Sequence, residues 1–493
     1  MQTTQLIKRS LRHYWQTNLV VVLGVAIAVS VLAGALLIGE SVRGSLRDLS
    51  SQRLGKTDDL ISSANFFREQ LAAELEQQGT CPMIALEGVV VHEPSKRRAG
   101  GVKIYGVDER FWKFNGVAGV TTPDNRNALI SPSLASELGS SPDESLVLRI
   151  EKPSEIPVES LHGRKEDLGK TIRLSVGGVL GPERLGEFSL QPQNGAVRAI
   201  FVNLSFLQQE LEKNGRINTI LVGAQPQQQQ QSLATLLKNK ATLDDLGLKL
   251  RSINDQTISL ESDSKIINEH ITTAANEAAK ALSLRTIPVL SYLANSISSG
   301  GRSTPYSLVT AVDDETLAKL AKPATQTSSH PPIILNDWTA RDLNVKPGDA
   351  VSLEYYLWQE NGRLETKKAD FQLAAIVPIV GLAADRDLVP EYPGITESED
   401  MSAWDPPFPI DLNRVRKQDE DYWHQYRATP KAFIPLSTAQ NLWQTRFGKL
   451  TSIRIDSPND QLTPETVNNY SESLRKSLDP ALIGFQVVPV RDQ

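Results

Sequence analysis

The chain is short of nearly everything that builds a small chemical site. Of its 493 residues only Cys81 is a cysteine, which rules out a disulfide within the chain and leaves thiolate metal centres without ligands. Six histidines (His13, His92, His162, His270, His330, His424) are scattered through it. No two stand at i, i+4 and none sits in an HExxH pattern, so each reads as a packed or solvated residue. Two Gly-Lys-Thr triplets start at Gly55 and Gly169, but the first glycine of a phosphate loop is replaced by Ser50 and Arg164. There is no GxSxG elbow for a nucleophile. Asp385-x-Asp387 could contribute to a calcium site but lacks the glycine and distal glutamate of a calcium loop. Charge of one sign is missing too: 52 Lys and Arg are mixed with 58 Asp and Glu, so no basic face points to nucleic acid. The expectation is a protein that is not an enzyme and carries no cofactor.

Long apolar runs are absent with one exception. Leu19 to Gly39 contains 21 consecutive uncharged, mostly apolar residues. As a helix this run rises about 31 Å, enough to cross a hydrocarbon core of about 30 Å. Ala33-Gly34-Ala35 has the form of a signal cleavage site, yet Leu36 to Gly39 continue the run, which exceeds the 7–15 apolar residues usual for a signal. An uncleaved anchor is therefore expected. Lys8, Arg9 and Arg12 precede it without an acid, which predicts residues 1–18 in the cytoplasm and the bulk outside. Ile7, Leu11, Tyr14 and Trp15 share one helical face, as in an amphipathic helix lying in the bilayer interface. Ala26, Ser30 and Gly34 recur every four residues, a stripe that lets another helix approach. Val42, Leu46 and Leu49 keep a helical rhythm beyond the span and predict a stalk reaching Leu54, where Gly55 ends it.

The remaining sequence is expected to be α+β and duplicated. Phe66 to Gln78 reads as a surface helix, and Ile84–His92 and Gly101–Val107 read as strands. GVKIYGVDE from Gly101 lines up with YSLVTAVDD from Tyr306, and ALISPSLASELGSSPDESLVL from Ala128 lines up with IILNDWTARDLNVKPGDAVSL from Ile333, both at a spacing of 205. AIFVNLSFLQ from Ala199 matches KAFIPLSTAQ from Lys431 at a spacing of 232, so the second copy carries 27 extra residues. Two related units follow, over 64–224 and 241–493, joined by a Gln-rich linker over 225–240. The extra residues centre on 385–421, where eleven acids face four bases among five prolines. Trp404, Phe408 and Trp423 are expected to anchor this insertion to its own unit; the alternative is a partner-binding loop.

The basic N-terminus, single span, stalk ESVRGSLRDLSSQRLGKTDDLISS (40–63) and large α+β region together resemble the MacB/FtsX-like permease subunits of ABC transporters. PYSLVTAVD (305–313) adds to the resemblance, and LNVKPGDAVSLEY (343–355) and AFIPLSTAQNLWQTRFGKLTSIRI (432–455) look like the recurrent elements of that family's extracytoplasmic core domain. The resemblance implies a separate cytoplasmic ATPase and a first helix and stalk that relay its motion. It further implies a cargo that is lipid-linked, amphiphilic or peptide, and a second permease subunit or further spans in the bilayer. It supplies no catalytic residues. FQVVPVRDQ (485–493) reads as the approach to a second span, which marks the chain as the N-terminal part of a longer permease. The competing expectation is a single-pass anchored scaffold that holds an extracytoplasmic partner.

Overall fold

The computed structural model describes the chain apart from residues 1–2, 76–78, 152–168, 192, 194, 225–231, 322–328, 360–362, 407, 444, 458–460 and 492–493. The glutamine run of the expected linker lies outside the described residues. A short helix α1 (Thr3–His13) leads into α2 (Trp15–Leu54), one unbroken helix of 40 residues. At 1.5 Å per residue it is about 60 Å long, so the apolar segment and the stalk form one rod. Gly24, Gly34, Gly39 and Gly44 face open space along it.

The first unit runs through β1 (Thr57–Arg68), α3 (Gln70–Glu74), β2 (Thr80–His92), β3 (Arg98–Val107), α4 (Glu109–Asn115), β4 (Asn127–Ile130), α5 (Pro132–Leu138), β5 (Ser145–Ile150), β6 (Lys170–Val179), β7 (Ala199–Asn203), α6 (Leu204–Glu210), β8 (Arg216–Gly223) and α7 (Leu233–Lys240). β9 (Leu248–Asn254) comes next, and the second unit then follows the same order through β10 (Thr257–Ser262), α8 (Glu269–Ala281), β11 (Arg285–Ser299), β12 (Arg302–Val312), α9 (Asp314–Leu320), β13 (Pro332–Asn336), α10 (Asp337–Leu343), β14 (Ala350–Trp358) and β15 (Leu364–Val377). It continues with α11 (Lys417–Tyr426), β16 (Ala432–Pro435), α12 (Leu436–Trp443), β17 (Ser452–Asp456), α13 (Pro464–Ser477) and β18 (Phe485–Pro489).

Local chemistry explains why the copies share their helices. Asp108 caps α4 and Asp313 caps α9, each side-chain oxygen accepting a first-turn N–H. Ser131 and Asn336 do the same for α5 and α10, which end on Gly139 and Asn344 in the left-handed conformation. In each unit six strands close on themselves: β2-β3-β7-β4-β6-β5 in the first, and β11-β12-β16-β13-β15-β14 in the second. Closure removes edges that would otherwise pair with other chains. The parallel pairs also correspond, β3–β7 with β12–β16 and β4–β6 with β13–β15.

Outside the barrels the units exchange strands. β9 follows the first unit yet pairs with β10 of the second sheet. β18 follows the second unit yet pairs with β1 of the first, with Ile61 opposite Val487 and Ser63 opposite Phe485. One apolar core therefore runs through both, holding Ile61, Phe67 and Ile220 together with Leu260, Ile455, Tyr470 and Phe485. Helices α8 and α13 close it, and the Tyr470 hydroxyl donates to the carbonyl of Ala275 at 3.4 Å.

Three expectations are corrected by this packing. Residues 241–493 are not all second unit, because 485–489 is a strand beside β1 of the first, its Phe485 ring buried 5.0 Å from Phe67. Residues 233–240, assigned to the linker, form α7, whose Leu237 is buried in the shared core. Of the helix expected over 66–78, the described residues form one at Gln70–Glu74, since Phe66 and Phe67 extend β1 and are both buried; 76–78 lie outside the described residues.

Candidate functional site

The place where α2 enters the first unit is built more tightly than a flexible tether would be. Arg53, in the last turn, is only 8% exposed. Its Nη2 and Nε donate to Glu187 Oε2 at 2.7 and 3.2 Å, and its Nη1 donates to the carbonyl of Gln193 at 2.8 Å. The Arg53 carbonyl, one of the last in the helix, accepts from the Ser189 N–H at 3.2 Å. Helix ends leave such carbonyls without partners, so this contact caps the rod with the connection between β6 and β7. Gly55 then turns the chain at φ +60°, where a Cβ would collide with the Asn115 carboxamide of α4. The same carboxamide oxygen accepts from the Lys56 N–H at 3.0 Å. On the other side Arg491, just past β18, donates through Nη2 to the Gly55 carbonyl at 2.6 Å and pairs through Nε with Asp58 at 2.7 Å.

The connection that grips α2 also walls a cleft. Phe188 is fully buried against Tyr105 and Phe111, and its carbonyl accepts from the Tyr105 hydroxyl at 3.2 Å. The next residues, Ser189 to Gln191, form one side of a cleft of about 530 Å³ over the sheet, whose floor includes Leu60, Ala85, Tyr105 and Asn218. Leucine and tyrosine surfaces beside Ser62, Gln191, Gln486 and the ion pair of Lys103 with Glu87 give it mixed apolar and polar character.

The residues singled out in the sequence fall in three places. Ala26, Ser30 and Gly34 lie along α2, against no other helix among the described residues. Val42 and Leu46 are exposed and Leu49 half-buried on the same helix, before the Arg53 joint. Trp404, Phe408 and Trp423 are all buried in the second unit's own core. The rings of Trp404 and Trp423 meet edge to face at 4.8 Å, and the Trp423 indole donates to the Ser398 carbonyl at 3.1 Å. Burial removes these three rings as contacts of a partner loop. Among its described residues the insertion is otherwise irregular apart from short 3-10 turns at Arg386–Leu388, Met401–Ala403 and Leu412–Arg414 and the start of α11 at Lys417, where Asp419 returns a cap to the Arg416 N–H. Asp385 and Asp387, read as possible calcium ligands, instead pair with Arg454 and Arg251.

Two groupings escaped the sequence reading. Asp400, Glu420 and His424 bring ligand atoms within 4.8 Å of one another and have the donor types to hold a divalent cation. The i, i+4 spacing of Glu420 and His424 was the available signal; Asp400 joins them only through the fold. The second is Lys431, 3% exposed, with its ammonium 5.0 Å from the Trp338 ring centre and 4.8 Å from that of Tyr422. Burial pushes its pKa down to about 8, against 10.5 for a solvated lysine. Between these values the unfolded chain holds the extra proton, so stability should rise with pH through that window. The gain expected is on the order of 3 kcal/mol at most, reduced by whatever the two rings return to the ammonium. Urea denaturation at pH 7.5 and 10.5 measures it, and Lys431→Met should remove the increment.

Residues 19–240 match the family model described as MacB-like periplasmic core domain. Three solved structures resemble parts of the chain. The periplasmic region of MacB from Actinobacillus actinomycetemcomitans is 13% identical over 38% of this chain and 84% of its own, with a TM-score of 0.24. The extracellular domain of the noncanonic ABC-type transporter YknZ from Gram-positive bacteria is 13% identical over 38% and 89%, with a TM-score of 0.23. A domain of a putative permease protein from Porphyromonas gingivalis is 15% identical over 39% and 84%, with a TM-score of 0.23. No curated protein matches the sequence. The apolar N-terminal helix and the family of the adjoining domain make this a membrane-anchored protein with an extracytoplasmic bulk. Over residues 19–240 the chain is thus similar to the MacB-like periplasmic core domain family.

Proposed function

We propose that this chain is the part of an ABC transporter permease that carries motion from a cytoplasmic ATPase to an extracytoplasmic domain. Its N-terminus, with Lys8, Arg9 and Arg12, lies on the ATPase side of the bilayer. The chain performs no chemistry of its own; it exports or releases a lipid-linked, peptide or amphiphilic cargo. One observation carries the reading: α2 is continuous from Trp15 to Leu54, and its last turn is pinned by Arg53 to the segment that walls the cleft. Displacement or rotation of a rigid helix then acts directly on Glu187 to Gln191. The tail after β18 sits beside Gly55, so further spans or a second permease subunit would meet the helix at the same point.

The Arg53–Glu187 pair offers the test. In the transporter reconstituted with its ATPase, Arg53→Glu or Glu187→Arg should leave ATP hydrolysis running while cargo delivery falls by at least tenfold. The double exchange should restore much of it. Delivery at the original rate in both single variants would reduce α2 to a tether and favour the anchored scaffold.

A further inference from the structure

The two units hold different things at one equivalent position. In the first, the chain enters β1 at Thr57, opposite Gly223; in the second it enters β10 at Thr257, opposite Asp456. Around Thr57 the space is filled. Gly223 backs onto Phe114 of α4 and the Lys56 carbonyl, and Gly55 backs onto Leu185. In the second unit Lys319 of α9, Asp456 and Leu382 occupy the matching places, and they line a cavity of about 540 Å³.

Arg454 forms its floor, two residues before Asp456, where the first unit has Leu221 two residues before Gly223. Arg454 is 5% exposed. Its Nη1 donates to Asp385 at 2.7 Å, but Nε and Nη2 have no hydrogen-bond partner among the described residues. Those two N–H groups lie on one edge of the guanidinium and form a fork that matches an oxyanion. Asp456 lies on the same face of β17, two residues on, and its Oδ1 is also buried without a partner among the described residues. Polar atoms buried this way cost free energy until something satisfies them. The charges decide what that is. Asp385, Asp387 and Asp456 face Lys319 and Arg454, and the Arg251 that pairs with Asp387 is shared with Glu261, so the site holds no surplus of positive charge for a bare anion.

We propose that this cavity binds a small zwitterion, its oxyanion on the Arg454 fork and its ammonium on Asp456. A free amino acid and a phosphoethanolamine headgroup share that chemistry. The test uses the full chain in nanodiscs of phosphatidylglycerol, titrated with glycine and with O-phosphoethanolamine by calorimetry, with acetate and ethanolamine as the two halves. Saturable binding of at least one zwitterion, tenfold or more tighter than either half, is expected. A preference for glycine identifies a soluble amino acid; a preference for phosphoethanolamine identifies the headgroup. Arg454→Leu, which installs the first unit's residue, should abolish binding, and so should Arg454→Lys, which keeps a charge for Asp385 but loses the fork. Asp456→Asn should lower the zwitterion to the affinity of its oxyanion half. Absence of saturable binding, or binding that survives both Arg454 variants with an unchanged melting curve, overturns the site.

Discussion

Deleting residues 479–491 is expected to unfold both units in one transition rather than to trim a loose end. β18 supplies the outer strand beside β1, and its Phe485 is buried in the core that Phe67 shares with Leu260, Ile455 and Tyr470. Loss of that one ring alone costs about 3–5 kcal/mol. The deletion further exposes the row of N–H and C=O groups on β1 that β18 covers. Against a total stability of about 5–15 kcal/mol for a typical domain, little margin is left. Phe485→Ala is the graded version: calorimetry should show a single transition moved down, with no unit melting at its original temperature. Two separate transitions, only the first of them displaced, would mean that the exchanged strands do not couple the units.

The sequence made the duplication visible because its signals there are local, whereas the closure of each sheet into a barrel was not legible in it. Asp108 and Asp313, Ser131 and Asn336, and Gly139 and Asn344 repeat at a spacing of 205, and each pair performs the same cap in both copies. A side chain that bonds within three residues leaves a pattern a reader can find. The exchange of β9 and β18 leaves none, because an apolar strand such as FQVVP is equally suited to any open edge. The same limit hid the joint below α2. Gly55 marked the helix end, but Arg53 finds Glu187 across 134 residues and Asn115 receives the Lys56 N–H across 59. The aromatic insertion was located by its spacing shift, yet whether Trp404 and Trp423 face inward or outward depends on the second unit's core, which only the fold displays.

A break in the rod should have the largest functional effect. Leu46 lies between the apolar segment and the Arg53 joint, in a stretch of α2 whose side chains are mostly exposed, so replacing it disturbs little packing. Proline there removes a backbone hydrogen bond and clashes with the preceding turn, at about 3 kcal/mol or more within the helix. The soluble units, held by their own cores, should keep their melting behaviour. The most direct measurement is the ratio of cargo delivered to ATP hydrolysed in the reconstituted transporter carrying Leu46→Pro. Hydrolysis that continues while delivery falls to background is the result that transmission through α2 predicts, and an unchanged ratio contradicts it.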